Sequence, residues 1–169
     1  MSKANPYASF LDERPVEAIL TATPDALRSL IAEIGYADVE TRPAPGKWSP
    51  SEIACHLADT EMVFAFRLRQ ILTEDNPPIQ PFNQDKWAAS YLGLSADQAV
   101  DVFASVRGWN LELIESSLPA AAERAATHPE RGVVTFQGLV ETLAGHDLNH
   151  LSQLRKIASA LRPDSAQAG

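Results

Sequence analysis

Apolar residues recur along this chain at intervals of three and four, with charged and amide residues between them, and no segment sustains the alternation of a strand. That period belongs to helices that bury one face. Its strongest instance is WSPSEIACHLADTEMVFAFRLRQIL, residues 48–72. Ser49 is placed to accept from the free amides of a first turn, Pro50 needs no donor at the first position, and Glu52 at the third completes a capping box. From there Ile53, His56, Leu57, Thr60, Phe64, Leu68 and Ile71 trace one stripe, with Glu61, Arg67 and Arg69 to either side.

Three more helices follow from the same pattern. Thr23, Pro24 and Asp25 read as an opening, after which Leu27, Leu30, Ile31 and Ile34 keep helical spacing until Gly35 stops the run. The segment from Pro15 to Leu20 adds an extra turn or two before it. Ser95 and Asp97 open a helix through Val102, Phe103, Val106, Trp109, Leu113 and Ile114, halted by Pro119. The last helix starts at Thr135, behind the turn residue Gly132, and runs to Leu161 with Leu139, Leu143, His146, His150, Leu154 and Ile157 on its inner face. Val133 and Val134 leave room for a short extended piece.

Long helices with apolar stripes, joined by connections mostly too long for tight hairpins, predict an all-α four-helix bundle with long crossover loops. The domain is expected to span 15–162, with an N-terminal extension over 1–14 and a flexible tail over 163–169. The connection over 74–94 is longer than a bundle needs, which marks it as a lid or a pocket wall. Helices one and three carry broad apolar faces, so a homodimer is an expectation too.

Composition narrows the function. The chain has 169 residues, 45% of them hydrophobic and 21% charged, which suits one soluble domain. A formal charge of −8 repels phosphate backbones and anionic lipid, so neither nucleic acid nor a membrane surface is expected as a partner. No stretch has the apolar run of a signal peptide or a membrane span. The lone Cys55 excludes an internal disulfide and a CxxC metal site, and fits a cytoplasmic protein.

Chemistry enters with HDLNHLSQL, residues 146–154. His146 and His150 stand four apart, on one helix face, in the middle of an apolar stripe. His56 interrupts the inner stripe of the second helix in the same way. Facing helices of a bundle bring such side chains together in the core, so these three imidazoles form a candidate divalent-metal site. Three histidines with an open position are a catalytic arrangement for zinc. Zinc or nickel is the ion expected, although iron, manganese and cobalt accept imidazole as well.

The opening WSPSEIACHLADTE, followed some ninety residues later by HDLNHLSQ, resembles the DinB/YfiT-like superfamily over about Pro15 to Leu161. The resemblance implies a four-helix bundle whose metal ligands fall on His56, His146 and His150. It further implies relatives that are bacillithiol- or mycothiol-type S-transferases and thiol-dependent isomerases, with others named as metal-dependent hydrolases. The expected function is thus activation of a small-molecule thiol against an electrophile, with hydrolysis or a non-catalytic metal-binding bundle as the alternatives. An added protein ligand such as Asp59 would close the metal's shell and favour the last of these.

Helical geometry suggests the supporting residues. Asp59 stands one turn after His56 and Glu52 one turn before it, so either carboxylate is placed to orient the ring, with Glu52 more readily used up by the cap. Asp147 and Gln153 flank the histidine pair. Cys55 is expected to pack against a neighbouring helix, and Trp48 to staple the helix start. Trp87 and Phe82 either cover the pocket or anchor the loop. Arg67 and Arg69 are expected on a solvated or interfacial face, unless Arg67 holds the carboxylate of a thiol. His128, before Pro129 in a polar loop, is expected to be exposed.

Overall fold

Ser49 forms the predicted capping box: its hydroxyl accepts from the Glu52 amide at 3.2 Å, and the Glu52 carboxylate accepts from the Ser49 amide at 2.7 Å. Arg42 pairs with the same carboxylate and anchors the preceding loop. The helix launched there, α2, must be placed among its neighbours. The computed structural model describes residues 5–162, so the predicted tail lies outside the described residues. Its elements in chain order are α1 (Val16–Ile34), α2 (Pro50–Thr73), the short α3 (Gln84–Ala88), α4 (Ala96–Ser117), the antiparallel strands β1 (Ala125–His128) and β2 (Gly132–Thr135), and α5 (Phe136–Leu161).

The four long helices form a four-helix bundle. Both α1 and α2 pack along α4 and α5, whereas α1 and α2 barely touch each other. Consecutive helices therefore stand diagonally opposed at two of the three junctions, and a diagonal cannot be crossed by a tight turn. That is the physical reason for the long connections between α1 and α2 and between α4 and α5. The hairpin of β1 and β2 fills one of them and contains the extended piece read at Val133 and Val134. The connection over 74–94 is fastened to this hairpin: the Ile79 amide donates to the Thr127 carbonyl at 2.8 Å and the Thr127 amide to the Pro77 carbonyl at 3.0 Å. It is a wall built on α3 and the hairpin.

Two expectations are corrected. The first helix does not open at Thr23; α1 is continuous from Val16, with Pro24 inside it. Proline brings no amide hydrogen to the carbonyl of Leu20, the loss that normally disfavours it there. Arg107 on α4 donates to that carbonyl at 3.0 Å instead. The buried face of α4 is also rotated from the predicted stripe. Phe103, Arg107, Asn110 and Ile114 point inward, while Val102 and Trp109 are exposed. A periodicity read from apolar residues alone follows the wrong face once buried positions are taken by satisfied polar groups.

The core has two apolar clusters. One gathers Leu27, Ile31, Ile53, Leu57, Phe103 and Leu154; the other gathers Leu20, Phe64, Leu68, Ile114, Leu139 and Leu143. On each long helix the residues between them are polar and buried: Thr23 on α1, His56, Thr60 and Glu61 on α2, Arg107 and Asn110 on α4, and His146, Asp147 and His150 on α5. The bundle thus carries a polar belt clamped between two greasy layers, each buried side chain of which contributes about 1.5–3 kcal/mol. No helix among the described residues is long and apolar enough to cross a membrane.

Candidate metal centre

The belt brings the three predicted histidines together. His56 Nε2 lies 3.0 Å from His146 Nε2, which lies 3.2 Å from His150 Nε2. All three residues are buried, and among the described residues they are the cluster with metal-ligand spacing. Nitrogens about 2.1 Å from a common ion and about 90–110° apart stand roughly 3.0–3.4 Å from one another, so the spacing fits a cation. Without a cation or a proton between them, three facing lone pairs repel. The donor set and its spacing fit the predicted metal.

Electrostatics favour ligation. Burial, and then the neighbouring His150, lowers His56 to about 3; burial lowers His150 to about 4 against the opposing hydrogen bond of Gln153. His146 is pushed well below its ordinary value by the same burial, with His150, His56 and Arg107 adding to it. All three imidazoles are neutral at pH 7 and hold a lone pair for a metal. Gln153 Oε1 sits 3.1 Å from His150 Nδ1. With that oxygen accepting, the proton resides on Nδ1 and Nε2 is the free donor. The Nδ1 atoms of His56 and His146 are buried without a partner among the described residues.

Aromatic rings close over the imidazoles. Trp48 is 4.7 Å from the His56 ring and lies parallel to His150 at 6.2 Å, so the residue before the helix cap is also a wall of the site. Tyr7 meets His146 edge-on at 5.1 Å. It belongs to the predicted N-terminal extension, whose 3-10 turn, Ala8–Phe10, packs on α5. Gly145 permits the approach, since a Cβ there would stand 2.5 Å from the Tyr7 carbonyl oxygen.

The supporting carboxylates are arranged differently from expectation. Asp59 accepts from the Tyr91 hydroxyl at 2.8 Å and is not hydrogen-bonded to His56. Glu52 is used by the cap and Arg42. Asp147 turns away from the histidines to Arg107 Nη1 at 2.7 Å, and Glu61 takes the other face of that guanidinium through Nε at 3.0 Å and Nη2 at 2.7 Å. Asn110 adds a donor to Glu61 at 2.8 Å. Burial pushes Asp147 up to about 6, against the pull of Arg107. Arg107 itself is held charged by its two carboxylates despite the burial. The two carboxylates are thus committed to Arg107, and of this group it is the guanidinium whose charge acts on His146.

Other residues depart from prediction as well. His128 is buried at the end of β1, its Nδ1 accepting from the Glu130 amide at 3.2 Å. A polar loop hides a residue when the loop is itself packed, as the hairpin is here. Arg69 is held by the Ala65 carbonyl and Asn110 Oδ1, and Arg67 by the Gln80 carbonyl at 2.8 Å. Phe82 packs at a tilt against Trp87 at 4.7 Å and lines the cavity beside His56 and His146, while both rings line a separate surface groove. Cys55 is packed in the core as expected, its thiol pushed up to about 11 by burial. Tyr7, Arg107 and Asn110 escaped sequence reasoning. Spacing at 103, 107, 110 and 114 was the available signal for two of them; Tyr7 offered none.

Two cavities reach the histidines. One of about 150 Å³ is lined by His56, Thr60, Arg67, Phe82 and His146, and the other, of about 580 Å³, by Lys47, Trp48, His150, Gln153 and Lys156. Tyr7 and Gln84 line both.

Proteins of similar sequence and shape accord with this site. A protein of Oceanobacillus iheyensis, named as a candidate metal-dependent hydrolase, is 25% identical over 135 residues, covering 79% of this chain and 78% of its own. A Bacillus cereus protein of the same name is 24% identical over 165 residues, covering 92% and 95%. Among solved structures, YfiT of Bacillus subtilis superposes with a TM-score of 0.81 at 17% identity, over 89% of this chain and 92% of its own, and is described as a candidate metal-dependent hydrolase of unusual four-helix-bundle topology. The model of the DinB superfamily matches residues 19–154, which include all three histidines, and the chain belongs to that family.

Proposed function

We propose that the protein is a divalent-metal enzyme that transfers a low-molecular-weight thiol to a small electrophile. The observation carrying this reading is the trio of buried Nε2 atoms, joined by no carboxylate ligand among the described residues and reached by two cavities. A divalent ion held there, zinc or nickel by preference, favours the thiolate form of a bound thiol at neutral pH.

The chain's own residues supply the rest. Burial keeps the imidazoles neutral, and Gln153 holds His150 in the tautomer that offers Nε2. Trp48 and Tyr7 cover the ring faces and limit water at the reacting atoms. One small molecule can approach past Thr60 and Phe82 and another past Lys47 and Lys156, an arrangement suited to two substrates. Gln153 remains proposed as a positioning residue, directly on His150, and Asp59, which stands one turn after His56 on α2, as a weaker second whose carboxylate is held by Tyr91.

The names of the relatives favour hydrolysis as a second reading. One assay separates them: metal-free, zinc-loaded and nickel-loaded protein is mixed with a thiol panel and 1-chloro-2,4-dinitrobenzene, beside a thiol-free ester-cleavage reaction. Thiol conjugation that depends on metal and exceeds background supports transfer. Metal-dependent ester cleavage without conjugation supports hydrolysis, and absence of both rates overturns the enzyme.

A further inference from the structure

The smaller cavity carries a feature that the metal does not explain. Arg67 and Arg131 line it together with His128, and none of the three lines the larger cavity with Lys47. In a chain of net charge −8, neither arginine makes an ion pair among the described residues. Arg67 is half-buried over the rings of Phe64 and Phe82, with one nitrogen on the Gln80 carbonyl. Burial, and then the facing charge of Arg131, pulls it down to about 10. His128 is lowered too, by burial and by both arginines, with Glu130 opposing. Glu130 also lines the cavity but lies exposed at the hairpin tip, and Glu141 lines its extension.

Donors without acceptors point the same way. His128 Nδ1 accepts from a backbone amide, so its proton resides on Nε2, which is left as a donor. The adjoining cavity of about 320 Å³ shares Arg67, His128 and Arg131, and Asn5 lines it with its Nδ2 amide buried and unpartnered. Two half-buried guanidinium groups, an imidazole N–H and an amide N–H thus line one space, and a partly desolvated cation with no carboxylate partner gains when an anion joins it.

We propose that this basic recess, formed by Arg67, Arg131, His128 and Asn5, binds the oxyanion group of a small substrate whose reacting end lies at His56 and His146. The proposal deepens the metal-enzyme reading and rests on it for the orientation of the ligand. It makes the substrate an anionic molecule, with a carboxylate or phosphate a few bonds from the reacting atom. Guanidinium groups engage either oxyanion in paired hydrogen bonds.

The test is titration calorimetry with 3-mercaptopropionate and its methyl ester, on zinc-loaded and metal-free protein, at constant ionic strength. Wild type is compared with Arg67→Gln, Arg131→Gln and the double variant. Arg131 makes no hydrogen bond within the described protein, so its variant keeps the fold, and circular dichroism checks both. The acid is expected to bind wild type at least ten-fold more tightly than the ester, with the preference lost in the double variant. Equal binding of acid and ester, or a preference that survives both substitutions and so comes from chelation of the metal, overturns the recess. An arginine-dependent preference in zinc-loaded and metal-free protein alike, with no gain in ester affinity from zinc, keeps the recess and counts against the metal-thiol reading. Competition by inorganic phosphate against propionate identifies the oxyanion, and failure of both to displace the acid overturns the proposal.

Discussion

Replacing Arg107 with methionine removes the guanidinium that Glu61 and Asp147 share. Both carboxylates have side chains 0% exposed, so neither gains water when its partner leaves. Breaking a buried ion pair from one side costs about 3–5 kcal/mol. The Leu20 carbonyl, already deprived of a helical donor by Pro24, loses its replacement and adds about 1 kcal/mol. The sum is a large part of a domain's net stability and lowers Tm by about 8–24 °C for a chain of this length.

Urea unfolding of metal-free protein, followed by circular dichroism at pH 7.5 and 5.0, measures it. The deficit should shrink at the lower pH. Stranded carboxylates have folded pKa values raised above their unfolded ones, so their penalty is full above the folded value and disappears as pH falls to the unfolded value near 4. The wild-type Asp147, already pushed up to about 6, shows the direction. A triple variant, Arg107→Met with Glu61→Leu and Asp147→Leu, should recover at least half of the loss, because no charge then remains buried. An Arg107→Met protein within about 1 kcal/mol of wild type at both pH values would refute the belt's proposed energetics.

Three further outcomes can be checked. Elemental analysis should find the metal content of His150→Ala below about a tenth of wild type, while His128→Ala, whose ring lies outside the trio, keeps its metal; equal contents in all three proteins remove the site. Gln153→Ala should weaken metal binding about ten-fold in competition with a chromophoric chelator, through loss of the bond to His150 Nδ1, and an unchanged affinity denies Gln153 that role. Gly145→Ala should drive a methyl into the Tyr7 carbonyl, cost about 1–3 kcal/mol, and speed hydrogen exchange over Ala8–Phe10; unaltered exchange means the N-terminal segment does not depend on that contact.

Local rules were sufficient for much of this molecule. Ser49, Pro50 and Glu52 specify the start of α2 within four residues of chain, and every position of its predicted stripe, from Ile53 to Ile71, is buried. On α5 His146 and His150 interrupt an apolar face at helical spacing and Leu139, Leu143 and Leu154 bury around them, with Ile157 at the stripe's end partly buried. Bundle, helices and metal trio were therefore legible, because capping and periodicity act over one or two turns.

What could not be read depends on partners distant in sequence. Pro24 is a stop signal locally and a tolerated interior residue only because Arg107 serves the carbonyl of Leu20, 87 positions before it. Arg107 in turn is a surface residue by composition and a core residue by virtue of Glu61 and Asp147. Asp147 looked like a neighbour of the metal and proved to belong to that ion pair, since adjacent helical residues point about 100° apart. Tyr7 and the hairpin's His128 and Arg131 reach the site from segments with no periodic pattern of their own. Chain order thus determined which faces are buried, through interactions spanning a few residues. Only the packed bundle decided which polar groups meet within those faces, because the free energy of a buried charge is set by its partner.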